Sequence, residues 1–180
     1  MRLGVFIDGT GLREAVTAIS AESEIHFDKL RETMNGIPSG DHVPLLYYFG
    51  QEAVTRDGAT PAKRKLHDYL QYNGYRTKIA RGAETSEMNS RLRGEALVMM
   101  AVAMCEAAHM GNIDEAVVFG GDVALATPIR LMQRNGVHIT LIHNIRSVAD
   151  LTRRQADHFL DIEDHGKRYG YFGQRRSTAA

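Results

Sequence analysis

The sequence predicts an α/β protein: a three-layer α/β/α arrangement around a mainly parallel central sheet. Three observations predict it. Apolar runs of strand length alternate with helical patterns along most of the chain, no repeat or low-complexity block interrupts them, and two of the runs end alike, in glycines and one acid. The first is Leu3-Gly4-Val5-Phe6-Ile7-Asp8-Gly9-Thr10-Gly11, and the second is Ala116-Val117-Val118-Phe119-Gly120-Gly121-Asp122. In an open parallel sheet, ligands bind in the crevice at the carboxyl ends of the strands, so both acids are expected at its mouth.

Each element follows in order. After the strand ending at Asp8, Leu12-Arg13-Glu14-Ala15-Val16 begins a helix, Ile25 to Met34 carries a second helical pattern, and the Asn-Gly-Ile-Pro-Ser-Gly stretch over 35–40 breaks the chain. Val43 to Gly50 reads as a strand, with Pro44 tolerated near its start, and Gln51 to Ala59 as a polar loop. Thr60 and Pro61 occupy the cap and first-turn positions of a helix that stops at Asn73-Gly74. Tyr75 to Ala80 alternates as an edge strand, and Arg81 to Asn89 reads as a polar linker. Ser90 to Ala108 is the longest helix, apolar around most of its circumference and therefore expected to be buried. Ile113 to Phe119 is a central strand, Thr127 to Asn135 a helix closed by Gly136, Val137 to Ile142 a strand, Val148 to Ala156 a short helix, and His158 to Ile162 a last short strand. One domain is expected over 1–163, followed by a basic, aromatic tail over 164–180.

Composition excludes several classes. The 180 residues carry 22 Lys and Arg against 22 Asp and Glu, so no global field draws the protein to nucleic acid or membrane, and any basic surface is local. A single cysteine excludes a disulfide framework and argues against thiolate zinc. The most apolar stretch, Ala96 to Ala108, is too short to span a bilayer, and no cleavable signal precedes the first strand, so a cytoplasmic location without membrane contact is expected.

Carboxylates gathered at one sheet edge repel one another unless a cation neutralises them, and oxygen-only ligands suit Mg2+ or Mn2+. Asp8 and Asp122 are the first candidates. For either alone a structural role is open: Asp8 can shape a turn, and Asp122 is placed to cap the next helix. Glu95, near the start of the long helix, and Asp157, between a helix and a short apolar segment, are further candidates. Their alternatives are a solvated first-turn glutamate and an exposed boundary acid. Thr10 can bind a phosphate or serve its own turn. Lys63-Arg64-Lys65, Arg76, Lys78, Arg81, Arg91 and Arg93 supply local positive charge for phosphates. The tail from Lys167 to Arg176 interleaves bases and aromatics in the manner of a single-strand-binding arm, or of an oligomer contact.

Taken together, Val5-Phe6-Ile7-Asp8-Gly9-Thr10-Gly11-Leu12 resembles the "FIDGxNL" opening of NYN domains, the LabA-like branch of the PIN-like nucleases. Asn112 to Asp122 resembles their "D.A..vSGD.DF.P" segment, and Leu151 to Ile162 their "L...AD.Fidl" close. The resemblance implies a PIN-like, Rossmannoid fold and an Mg2+- or Mn2+-dependent endoribonuclease acting on RNA, with a homodimer as a further expectation. It matches Asp8, Asp122 and Asp157 to acids of the family, Glu95 to the acid of its helix start and Arg93 or Arg91 to the basic residue nearby; Asp8, Asp122 and Glu95 are thus the expected catalytic residues, the same three with Asp157 the expected metal ligands, and Arg91 and Arg93, with Thr10, the expected substrate contacts. Three positions depart from the pattern: Gly11 replaces an asparagine, Ala124 replaces the second acid of "SGD.D", and the helix acid one turn beyond Glu95 is apolar. These departures keep open a second expectation, a catalytically weak or inactive module that binds RNA or a protein partner in a regulatory role. A haloacid-dehalogenase phosphatase is excluded because its nucleophile position is Phe6, and a dinucleotide site lacks its third glycine at Glu14.

Overall fold

The computed structural model describes residues 1–37, 42–55, 58–59, 61–83 and 86–174. Its elements are β1 (Leu3–Asp8), α1 (Gly9–Thr17), β2 (Ser23–Ile25), α2 (Phe27–Asn35), β3 (Leu45–Thr55), β4 (Gly58–Ala59), α3 (Pro61–Tyr72), β5 (Arg76–Ala83), α4 (Ser86–His109) and β6 (Glu115–Phe119). A 3-10 turn (Val123–Leu125) then leads into α5 (Ala126–Arg134), β7 (His138–His143), α6 (Asp150–Gln155), β8 (His158–Asp161), α7 (Ile162–Tyr169) and β9 (Phe172–Gln174).

Six strands lie parallel in the order β5-β3-β1-β6-β7-β8, and β4 adds a short antiparallel pair to β3. From β1 the chain steps outward to β3 and β5, then returns to the other side of β1 with β6. The direction of winding therefore reverses between β1 and β6, which is where an open α/β sheet makes its crevice. The predicted three-layer α/β/α fold is the one observed.

The pleat of β1 assigns the layers. Leu3, Val5 and Ile7 pack on one face with Leu12 and Val16 of α1, Leu30 and Met34 of α2, and Leu70 of α3. Phe6 packs on the other face with Met100 and Met104 of α4 and with Ile129 and Met132 of α5. Asp8 has the parity of Phe6, so its side chain projects toward α4. Both faces of the strand are covered, as its unbroken apolar run requires.

Several expectations are corrected. The polar stretch from Gln51 is not a loop: Gln51 to Thr55 prolong β3, pairing with β5 as far as Val54↔Ala83 and with β4 at Thr55↔Gly58. Pairing on a neighbouring strand overrides polar composition here. The linker from Arg81 is in fact the end of β5 and the first turn of α4. That helix is only partly buried, with Val98 63% and Val102 48% exposed, because a single layer on a sheet covers one side of a helix. Ser23–Ile25 forms β2, which pairs antiparallel with β9. The tail is not a free arm as far as Gln174: it makes α7 and β9, with Tyr171 fully buried and Phe172 6% exposed in the core. The Thr60 cap, the break at 38–40 and the tail at 175–180 lie outside the described residues.

Candidate active site at the carboxyl edge

Asp8 ends β1 and caps α1, accepting a 3.1 Å hydrogen bond from the Gly11 amide at Oδ1. A β-carbon at Gly11 would collide with the Asp8 carboxylate and approach Arg93 Nη2 to 3.1 Å, so only glycine fits beneath this acid. Asp122, just beyond β6, caps the 3-10 turn through a 2.9 Å bond from the Ala124 amide. Its backbone carbonyl accepts a 2.8 Å bond from the Thr152 hydroxyl. Both acids are therefore structural caps, and each keeps one carboxylate oxygen that caps nothing.

Those oxygens meet Arg93 of α4. The guanidinium grips Asp8 with both nitrogens, Nη1 on Oδ1 and Nη2 on Oδ2 at 2.8 Å, and Nη2 stands 3.9 Å from Asp122 Oδ2. Asp8 is only 2% exposed. Burial alone would lower the Arg93 pKa. Hydrogen bonding to Asp8, with the charges of Asp8, Glu14 and Asp122, outweighs it and raises the pKa. Two carboxylates, Asp8 and Asp122, thus share one guanidinium.

The neighbouring strand ends complete the edge. Tyr48 of β3 is buried, and that burial, with the Asp8 charge, pushes its phenol up to about 12. His143 ends β7, 5% exposed, and packs so closely on Gly121 that a β-carbon there would overlap the imidazole. Burial lowers the His143 pKa although the charges of Asp8 and Asp161 oppose it. Its Nδ1 is buried without a hydrogen-bond partner among the described residues, and Nε2 lies 3.4 Å from the Ser147 hydroxyl.

The structure brings together Asp8, Asp122 and Arg93; Thr10 follows Asp8 by two positions, in the first turn of α1. It does not bring Glu95 or Asp157 to them. Glu95 is exposed and follows Arg93 by two positions, about 200° around the helix, so it faces away when Arg93 faces the sheet. Asp157 precedes β8, at the amino edge, where it accepts a 2.7 Å bond from the Ile139 amide near the start of β7. Arg91 is exposed on α4 and makes no part of the clamp. The carboxyl-edge acid of β8 is Asp161, which accepts bonds from the Ile145 and Glu163 amides, each 2.9 Å. The signal for it was the one used for Asp8 and Asp122, an apolar strand ending in an acid. His143 carried a weaker version of that signal, as the residue that follows the apolar run of β7.

The donor set tests whether a divalent cation fits. Asp8 and Asp122 are hard oxygen donors converging on one point, and a cation, the Arg93 guanidinium, already stands there. Mg2+ is commonly held by one or two carboxylates plus substrate phosphates, which this pair can supply. Among the described residues no group of three His, Cys, Asp or Glu is placed to hold a metal.

No helix among the described residues is long and apolar enough to cross a membrane. No curated protein matches the chain. Among solved structures, a Vibrio parahaemolyticus protein of unknown function is 14% identical with a TM-score of 0.66, the match covering 91% of this chain and 93% of that one. That likeness concerns the fold alone. The NYN domain description matches residues 2–163, from the start of β1 through the carboxyl edge to β8. The chain belongs to the NYN domain family, within the PIN-like nuclease superfamily.

Proposed function

We propose that this NYN domain hydrolyses RNA phosphodiesters with one divalent cation, Mg2+ or Mn2+, held between Asp8 and Asp122. The LabA-like character of Val5 to Leu12 and of Leu151 to Ile162 supports placing it in that branch of the family. The observation that carries the reading is the meeting of two carboxylates at the edge. Asp8 and Asp122, from the ends of two adjacent strands, both reach the Arg93 guanidinium, Nη2 standing 2.8 Å from Asp8 Oδ2 and 3.9 Å from Asp122 Oδ2, so a cation already sits where their oxygens converge. When bound, the ion supplies Lewis acidity at the scissile phosphate. Asp8 and Asp122 hold it, their backbone caps fixing each carboxylate. Arg93, released from Asp8, turns its fork to the phosphate, the anion whose geometry it matches best. Thr10 donates its hydroxyl to a phosphate oxygen.

A second reading, a catalytically silent RNA-binding module, is favoured by the bidentate hold of Arg93 on Asp8 and by the outward turn of Glu95. The test is cleavage of an unstructured RNA, with Mg2+ or Mn2+ and with chelator. Metal-dependent cleavage lost in Asp8→Asn and Asp122→Asn is expected. RNA binding that is indifferent to metal, with no cleavage, installs the second reading.

A further inference from the structure

On the other side of the β1 end lies a cavity of about 270 Å3, bordered by Gly9 and Thr10, the two residues that follow Asp8. Its walls are apolar and aromatic: Leu12 and Val16 of α1, Phe27 and Tyr48, whose rings meet edge to face with centroids 5.8 Å apart. Arg13 and Lys63 stand among its polar lining. His67 also lines it, only 6% exposed, with Nδ1 held 3.2 Å from Glu52 Oε2. Gln51 lines it too, and its Oε1 is buried without a hydrogen-bond partner among the described residues. A buried amide oxygen without a partner is costly unless a donor that enters the cavity satisfies it.

Size, walls and polar groups select the occupant. The volume is near the lower limit for small-molecule sites, too small for a peptide helix and suited to one flat heterocycle. Aromatic side chains with a hydrogen-bonding group beside them are how unstacked bases are held, and cations nearby suit the attached phosphate. We propose that this cavity is a nucleobase subsite, taking the base of the nucleotide next to the bond presented to Asp8 and Asp122. The assignment rests on the RNA reading above, and its test is independent of metal.

The four nucleoside 5′-monophosphates, each titrated in chelator and followed by saturation-transfer NMR, provide that test. At least one is expected to bind saturably. Ala21→Trp, at an exposed lining position, should weaken that binding by about tenfold or more by filling the mouth, and Arg13→Gln should weaken the nucleotide more than its nucleoside. No saturable binding of any of the four, or binding that Ala21→Trp leaves intact, overturns the subsite even if RNA is cleaved. Nucleotide binding without metal-dependent cleavage retains the subsite and sinks the nuclease reading.

Discussion

Removing the Arg93 guanidinium leaves a carboxylate that is 2% exposed without its counter-ion. Arg93→Ala is therefore expected to destabilise the fold by about 3 kcal/mol, at the lower end for a broken buried pair because the arginine itself is 20% exposed. The same vacancy gives a metal assay that needs no RNA. Millimolar Mn2+ should raise the melting temperature of Arg93→Ala more than that of the native protein, and equal shifts in the two would show that Asp8 and Asp122 do not bind the ion. Asp8 and Asp122 were legible in the sequence because an acid ending an apolar parallel strand has only one place to go. The clamp was not: that Arg93, rather than Glu95, meets Asp8 depends on the parity of β1 and on the rotation of α4, and neighbours on an amphipathically ambiguous helix give no phase.

The same limit operates on whole elements. In β8 an acid stands at each end, and sequence proximity to a family pattern favours Asp157. The direction of the strand, which only the parallel pairing with β7 fixes, places Asp157 at the amino edge and Asp161 at the carboxyl edge. Asp157→Ala should cost about 1 kcal/mol through the lost bond to the Ile139 amide, and leave RNA cleavage at the native rate. Denaturant unfolding and the cleavage assay check the two halves. The extension of β3 through Thr55 was hidden for a related reason: Gln51 and Glu52 look like loop residues, yet β5 supplies partners for their backbone. Alternation of strand and helix, by contrast, was readable almost throughout, since each apolar run in the core has a covered face to match.

For the molecule as a whole, acid should weaken the fold earlier than carboxylate titration alone would. His67 and His165 have pKa values lowered from the ordinary 6.5, in each case chiefly by burial, so the unfolded chain binds their protons first. Stability is then full above that value and falls as pH drops below it, until the folded pKa values are passed. Melting temperature should therefore decline between about pH 7 and pH 5, and His165→Gln should flatten the decline. The deletion of residues 171–180 should cost more than about 3 kcal/mol, because Tyr171 and Phe172 leave the core. Because β9 lies against β2, residues 172–174 close over 23–25, far apart along the chain. A ribosome makes the first partner well before the second. The corner after the first helix therefore waits, uncovered and open to proteases, until residues 172–174 are made, and products truncated before them should be cleared rather than accumulate.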